Sequence, residues 1–169
     1  MRDSSSAASD SARVHELILE LGLARHPEGG WYREVHRSTV DVHREPDGAK
    51  RSALTTIFFL LAAGEVSRWH RVAGGDEAWH FYEGEPLELL GFAPDGTQAM
   101  RLRLAADPAS RVQVIPAGWW QAARPTGEYA LVGCSVGPGF DFADFAMLRD
   151  LPEAQRPPRP ALEDFERFV

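Results

Sequence analysis

From Trp31 onward the chain breaks into short runs of strand-forming residues, and each break between runs carries glycine or proline. The breaks read "EPDGA", "AAG", "AGGD", "EGEP", "APDG", "ADPAS", "PAG", "RPTGE" and "GPGFD". Glycine supplies the positive φ that tight turns need, and proline cannot donate to a sheet ladder, so both mark places where strands end. The spacing predicts strands near 31–38, 54–62, 65–72, 77–83, 87–93, 99–105, 111–116, 118–123, 128–136 and 143–148. No helical period interrupts them, which leaves no crossover helices for a parallel sheet. Many short strands at regular spacing imply an all-β sandwich or closed barrel. A chain of 169 residues is the length of one domain.

The flanks differ from this middle. Residues 1–10 are rich in Ser, Ala and Asp, and a disordered tail is expected there. Val14, Leu17, Ile18 and Leu21 then fall at helical spacing, with Ser11 as candidate N-cap and Gly22 as stop. The domain is expected over 11–150, followed by a Pro-rich tail over 151–169. Phe165, Phe168 and Val169 would pack that tail on the barrel; a dimer-clasping arm is the alternative.

Net charge is −7 and the pI about 5.3. That sign argues against a nucleic-acid or anionic-membrane partner, either of which needs a basic face. The single cysteine, Cys134, excludes an intrachain disulfide and a Cys-rich zinc motif. It lies in the apolar run "ALVGCSV" and is expected to be an inert buried thiol. The first residues have no apolar core of the signal-peptide kind, and the longest apolar run, "ALTTIFFLLAAG", is too short for a membrane span. The cytoplasm is the expected compartment.

Chemistry concentrates in "GEVSRWHRVAGGDEAWHFYEG", from Gly64 to Gly84. A tight hairpin at the Gly-Gly-Asp turn would bring His70 and Glu77 beside one cavity. Alternate residues of a strand share a face. If Glu77 points inward, so do Trp79 and Phe81, while Ala78, His80 and Tyr82 point outward. By the same parity Trp119 and Gln121 of "PAGWWQ" line the cavity and Trp120 does not. Outward Trp69, Tyr82 and Trp120 would be a liability on a monomer, and burial in a homodimer is the expected remedy.

These residues resemble the first motif of the cupin superfamily. Gly64, His70, Glu77 and Gly84 fall on its spacing, with Val72 where the motif has a second histidine. Pro116 and Gly118 match the second motif, but Gln121 stands in place of its histidine, Pro125 in place of its asparagine and Ser110 in place of its leading glycine. The segments "HPEGGWYRE", "TTIFFLL", "SRWHRV", "DEAWHFYEGEPLEL", "VIPAGWWQAA" and "LVGCSVGPGFDFADFAML" are similar to one cupin branch, largely of unknown function, over roughly 17–148. The resemblance implies a cupin-type double-stranded β-helix, or jelly-roll, barrel with an N-terminal helix. It also implies a cavity lined by His70, Glu77 and Gln121.

Three chemistries follow from that implication. As metal ligands, His70, Glu77 and Gln121 form a depleted set, because valine cannot ligate and an amide oxygen is a poor donor to softer metals. It would hold a divalent ion (iron, nickel, manganese or zinc) only loosely, in the manner of a metal-dependent oxygenase or isomerase. Without metal, His70 and Glu77 are a catalytic acid/base pair, as in cupin sugar-nucleotide epimerases, with Tyr32, Tyr82 or Tyr129 as a second proton donor. Without catalysis, the cavity binds a small polar molecule, with Arg33, Trp79, Phe81, Trp119 and Gln121 as ligand-binding residues. Arg33 could hold an anionic group, or form a surface ion pair with Glu34 or a neighbouring strand. Thr55 or Thr56 could face the cavity, and Asp141 and Asp144 are expected to cap turns.

Overall fold

The computed structural model describes residues 4–45 and 47–169, with residues 4–11 as backbone only. Of the tail expected over 1–10, residues 1–3 lie outside the described residues. Helix α1 runs Ser4–Glu20, so Ser11 falls inside it and not at its start. Ala7 and Ala8 favour the helix, and no Gly or Pro interrupts the run. Gly22, at φ 61°, ends it in the left-handed conformation that glycine adopts without a Cβ penalty.

Thirteen strands follow: β1 (Ala24–Arg25), β2 (Trp31–Arg37), β3 (Asp41–His43), β4 (Lys50–Ser52), β5 (Thr55–Ala62), β6 (Ser67–Val72), β7 (Asp76–Gly84), β8 (Leu87–Phe92), β9 (Ala99–Leu104), β10 (Val112–Ile115), β11 (Trp120–Pro125), β12 (Tyr129–Gly137) and β13 (Phe145–Met147). One antiparallel sheet has the order β1-β2-β5-β12-β7-β10, and a second has the order β13-β6-β11-β8-β9. Strands β3 and β4 form a separate ribbon. The two large sheets face each other as a jelly roll, which makes the chain all-β with one N-terminal helix. The short strands β1, β3 and β4 were not predicted. At two or three residues each, they are too brief to leave a periodic signal.

Strands β6 and β7 do not form the hairpin that the Gly-Gly-Asp turn suggested. They belong to opposite sheets. The turn crosses the end of the barrel, where a Cβ at Gly75 would lie 2.5 Å from Pro138 O and 2.8 Å from Gly137 C. His70 and Glu77 therefore approach the interior from facing walls.

The interior between the sheets is filled by Phe59, Leu61, Trp79, Phe81, Leu87 and Leu89 among others. A second apolar cluster lies on the outer face of the smaller sheet. There Trp69 and Trp120 are 0% and 1% exposed, covered by Phe165 and Phe168 of the chain's own C-terminal tail. Trp69 stacks on Phe165 at 5.3 Å, and its Nε1–H donates to the Phe165 carbonyl at 2.9 Å. Parity gave the direction of these tryptophans, but a partner chain is not what covers them. Only Tyr82 of the three outward aromatics is exposed. Leu17, Leu60, Tyr129 and Leu131 form a third cluster, with Ile18 of α1 packed against it.

Candidate functional site

The barrel encloses a cavity of about 290 Å³ at one end. Ile57, Val72, Val136, Phe140, Phe142 and Phe145 give it apolar walls, and His26, Glu28, His70, Glu77 and Cys134 give it a polar floor.

His70 is 2% exposed on β6. Its Nδ1–H donates to the Arg68 carbonyl at 2.8 Å, which leaves Nε2 as the acceptor. Nε2 lies 3.1 Å from Glu28 Oε2. Glu28 was absent from the predicted site. It comes from "HPEGG", is 6% exposed, and accepts at Oε1 from the Ser67 hydroxyl at 2.9 Å. A β-bulge explains why Ser67 and His70, three residues apart, both reach it. Gln121 pairs with His70 and Ala123 with Ser67, so β6 fits three steps against two of β11.

Glu28 is held in place by close backbone packing. The Arg68 N–H donates to the Glu28 carbonyl at 2.9 Å. Gly29 follows at φ 111°, and a Cβ there would lie 2.2 Å from the Val66 carbonyl oxygen. Only glycine lets the loop approach β6 so closely. His26 is the second residue missing from the prediction. Its Nδ1 lies 3.4 Å from Glu28 Oε2 and accepts from the Glu28 N–H at 3.3 Å, and its ring meets Tyr32 edge-on at 4.5 Å.

Electrostatics keep Glu28, His70 and His26 in their neutral forms. Burial pushes the Glu28 carboxyl well above its ordinary range, the Glu77 charge adds to that, and the Ser67 hydroxyl opposes it. Burial lowers His70 to about 4, against the raising effect of the Arg68 carbonyl. Burial, with the nearby His70, lowers His26 to about 3. A protonated Glu28 donating to a neutral His70 Nε2 satisfies all of these together.

Glu77, 7% exposed on β7, faces this group from the other sheet. Burial raises it to about 7, opposed by hydrogen bonds from Gln121 and from the Cys134 thiol. The Gln121 Nε2–H donates to Glu77 Oε2, and Gln121 Oε1 accepts from Trp79 Nε1 at 3.0 Å. Burial and the neighbouring acids hold the Cys134 thiol well up, in its protonated form.

The remaining predicted residues divide. Arg33 lines the mouth of the cavity. Trp79, Phe81, Trp119 and Gln121 are not among the cavity-lining residues. Trp79 and Phe81 belong to the core between the sheets, Trp119 packs against it, and Gln121 backs Glu77. Thr55 lines the cavity, and its Oγ1 accepts from Phe140 N at 2.9 Å. Of the tyrosines, Tyr32 reaches the cavity, Tyr82 is outside, and Tyr129 donates to Glu83 at 2.8 Å. Asp141 caps a turn by accepting from Ala143 N, whereas Asp144 anchors Arg44 and Arg51.

The ligand set that the resemblance implies, His70, Glu77 and Gln121, does not fit a metal. Val72 has no donor atom, and the one oxygen of Gln121 is turned to Trp79. His70 Nε2 is directed at Glu28. No group of three His, Cys, Asp or Glu among the described residues is placed to hold an ion.

A jelly-roll barrel with one small, partly polar cavity between its sheets is the architecture of the cupins. The chain belongs to the family described as Cupin superfamily (DUF985), which it matches over residues 15–148. A structure of a hypothetical protein from Leishmania major is similar at 32% identity, covering 83% of this chain and 88% of that one, with a TM-score of 0.74. A Shewanella oneidensis protein is similar at 34% identity, covering 78% and 82%, with a TM-score of 0.69. An uncharacterised protein of Saccharomyces cerevisiae is 26% identical over 80% of this chain and 75% of its own. Oxalate decarboxylase from Bacillus subtilis (16% identity, TM-score 0.54) and a dTDP sugar isomerase from Desulfovibrio desulfuricans (14%, 0.50) share the fold. No helix among the described residues is long and apolar enough to cross a membrane.

Proposed function

We propose that this cupin binds a small molecule in its cavity and moves a proton on it without a metal, as an isomerase or epimerase does. The observation that carries this reading is the buried contact between Glu28 Oε2 and His70 Nε2, 3.1 Å apart, in the cavity that Glu77 also lines. One proton is shared between Glu28 and His70, so that couple is the acid. Glu77, poised near neutrality, is the base, which removes a proton beside a substrate carbonyl while Glu28 donates to the oxygen. Tyr32 is the cavity tyrosine able to return a proton from another direction. A volume of about 290 Å³ lies at the low end of ligand pockets, so the nucleotide of a sugar nucleotide would stay outside.

The test is solvent deuterium incorporation, followed by NMR, across a panel of keto-sugar nucleotides and small 2-oxo acids. Exchange with the wild type and its loss in Glu77→Gln is the expected result. A panel that binds and never exchanges overturns the proton-transfer reading and leaves a binding module. A second copy of the chain is the macromolecular partner we infer, on Tyr82, Val112 and Val114, which are exposed on neighbouring strands at the β10 edge.

A further inference from the structure

Among the described residues, the cavity's mouth carries a cation with no partner of its own. Two arginines line it, Arg33 and Arg37. Arg37 is committed: its Nε and Nη2 donate to Glu34 at 3.1 and 2.7 Å, and its Nη1 donates to the Phe140 carbonyl at 3.0 Å. Arg13, Arg25, Arg44 and Arg51 likewise face carboxylates. Arg33 differs. Among the described residues no carboxylate or carbonyl accepts from its guanidinium, which lies 5.7 Å from the centre of the Phe58 ring. Of the sequence alternatives, an ion pair with Glu34 is closed because Glu34 is taken by Arg37, and no neighbouring strand among the described residues offers Arg33 a carboxylate.

Position matters as much as charge. Strand β1 covers β2 only at Trp31 and Tyr32, so the edge is open from Arg33 onward. The Arg33 side chain lies over Gly22, where an added Cβ would be 3.9 Å from its Cδ and Nη1. Gly22 also lines the mouth. A bare glycine there leaves the guanidinium open to the cavity entrance. An uncompensated arginine on a chain of net charge −7 is a local attractor for anions, and its planar fork matches carboxylate and phosphate oxygens.

We propose that the cavity's ligand is a small organic anion, a carboxylate or a phosphate monoester, whose charged group is held at the mouth by Arg33 while its carbon skeleton enters the apolar cavity. This deepens the proton-transfer reading and rests on it only for what happens at the floor. An anion at the mouth leaves the uncharged end of the molecule facing Glu28, His70 and Glu77. It also accounts for a floor kept free of fixed positive charge, since the ligand's counter-charge is supplied at the other end.

Ligand-detected NMR at low salt tests this with three probes of similar length: butanoate, propyl phosphate and butan-1-ol. The wild type should bind at least one anion about tenfold or more tighter than the alcohol, as a charge-assisted bidentate contact requires. Arg33→Ala should lose that preference with an unchanged Tm, because Arg33 is exposed, and Arg33→Lys should keep part of it. Which anion binds tighter names the head group. Equal binding of alcohol and anions by the wild type overturns the proposal. So does a preference that survives Arg33→Ala, or one that is lost only in Arg37→Ala. Binding is read without turnover, so an anion preference without deuterium exchange sinks the proton-transfer reading alone. Exchange without the preference sinks the Arg33 assignment alone.

Discussion

Glu77→Gln should stabilise the chain at alkaline pH and have little pH-dependent effect at acid pH. The reason is the burial of a group that ordinarily ionises near 4.5 and here ionises at about 7. Between those two values the folded chain keeps a proton that the unfolded chain has lost. Stability contributed by the protonated carboxyl is therefore full below 4.5, falls as pH rises through the window, and is gone above about 7. The interval corresponds to about 3 kcal/mol. Glutamine can still accept from Gln121 Nε2 at the same place, but it never ionises.

The wild type's own pH profile hides this slope. His70, lowered to about 4, and His26, lowered to about 3, work in the opposite direction. Each binds a proton in the unfolded chain that it does not bind when folded, so each adds stability as pH rises toward 6.5. The informative quantity is the difference between mutant and wild type, in which the histidines cancel. Denaturant unfolding at pH 4.5, 6, 7 and 8 should show that difference growing by about 3 kcal/mol, or roughly 6–12 °C in Tm for a chain of this size. Removing the Glu77 charge also eases ionisation of Glu28, which adds to the gain above pH 7. Parallel pH curves for the two proteins would refute the reasoning, because they would mean that Glu77 ionises in the fold as it does in water.

Metal analysis of protein purified without added ions should find iron, nickel, manganese and zinc well below one per chain. A stoichiometric metal would show that Gln121 and Glu28 reorient to ligate. Phe168→Ala should cost about 3–5 kcal/mol, since Phe168 is fully buried against Trp69, and should shift tryptophan emission to the red; an unchanged Tm would mean the tail is not part of the fold's stability. Light scattering at micromolar concentration should give a dimer that Val112→Lys with Val114→Lys disperses to monomer. A wild-type monomer would remove the case for self-association.

Much of this architecture was legible because strands write themselves in a period of two. Alternation on β7 separated buried Glu77, Trp79 and Phe81 from exposed Tyr82, and turn residues marked nearly every long strand. Two things escaped. One was the bulge at β6, since parity assumes an unbroken register and cannot see an extra residue. The other was the pair His26 and Glu28, which sit in a segment that reads as a turn. Their entry into the cavity depends on Gly29 packing against Val66, a contact 37 residues distant in sequence. The available signal was chemical: a histidine and a glutamate immediately before two adjacent glycines. The tail was expected to pack on the barrel through Phe165 and Phe168, but that it covers Trp69 and Trp120, in place of a partner chain, is a nonlocal contact that strand parity does not carry.

Val72 and Glu28 are best understood together. A cupin metal neutralises the carboxylate and imidazole lone pairs that converge beneath the barrel mouth. With valine at one ligand position and the Gln121 oxygen turned to Trp79, a cation would find too few donors here. Yet two carboxyls, Glu28 and Glu77, remain buried in one cavity, and two buried negative charges without a cation are costly. Proton binding resolves this. Glu28 keeps its proton and shares it with His70 Nε2, the nitrogen that would otherwise ligate, and each carboxyl's charge makes the other harder to ionise. A mobile proton thus occupies the role of a fixed cation. On the reading proposed above, that proton makes the site a Brønsted one, with Val72 where the cupin motif has a ligand and Glu28 holding the proton beside His70.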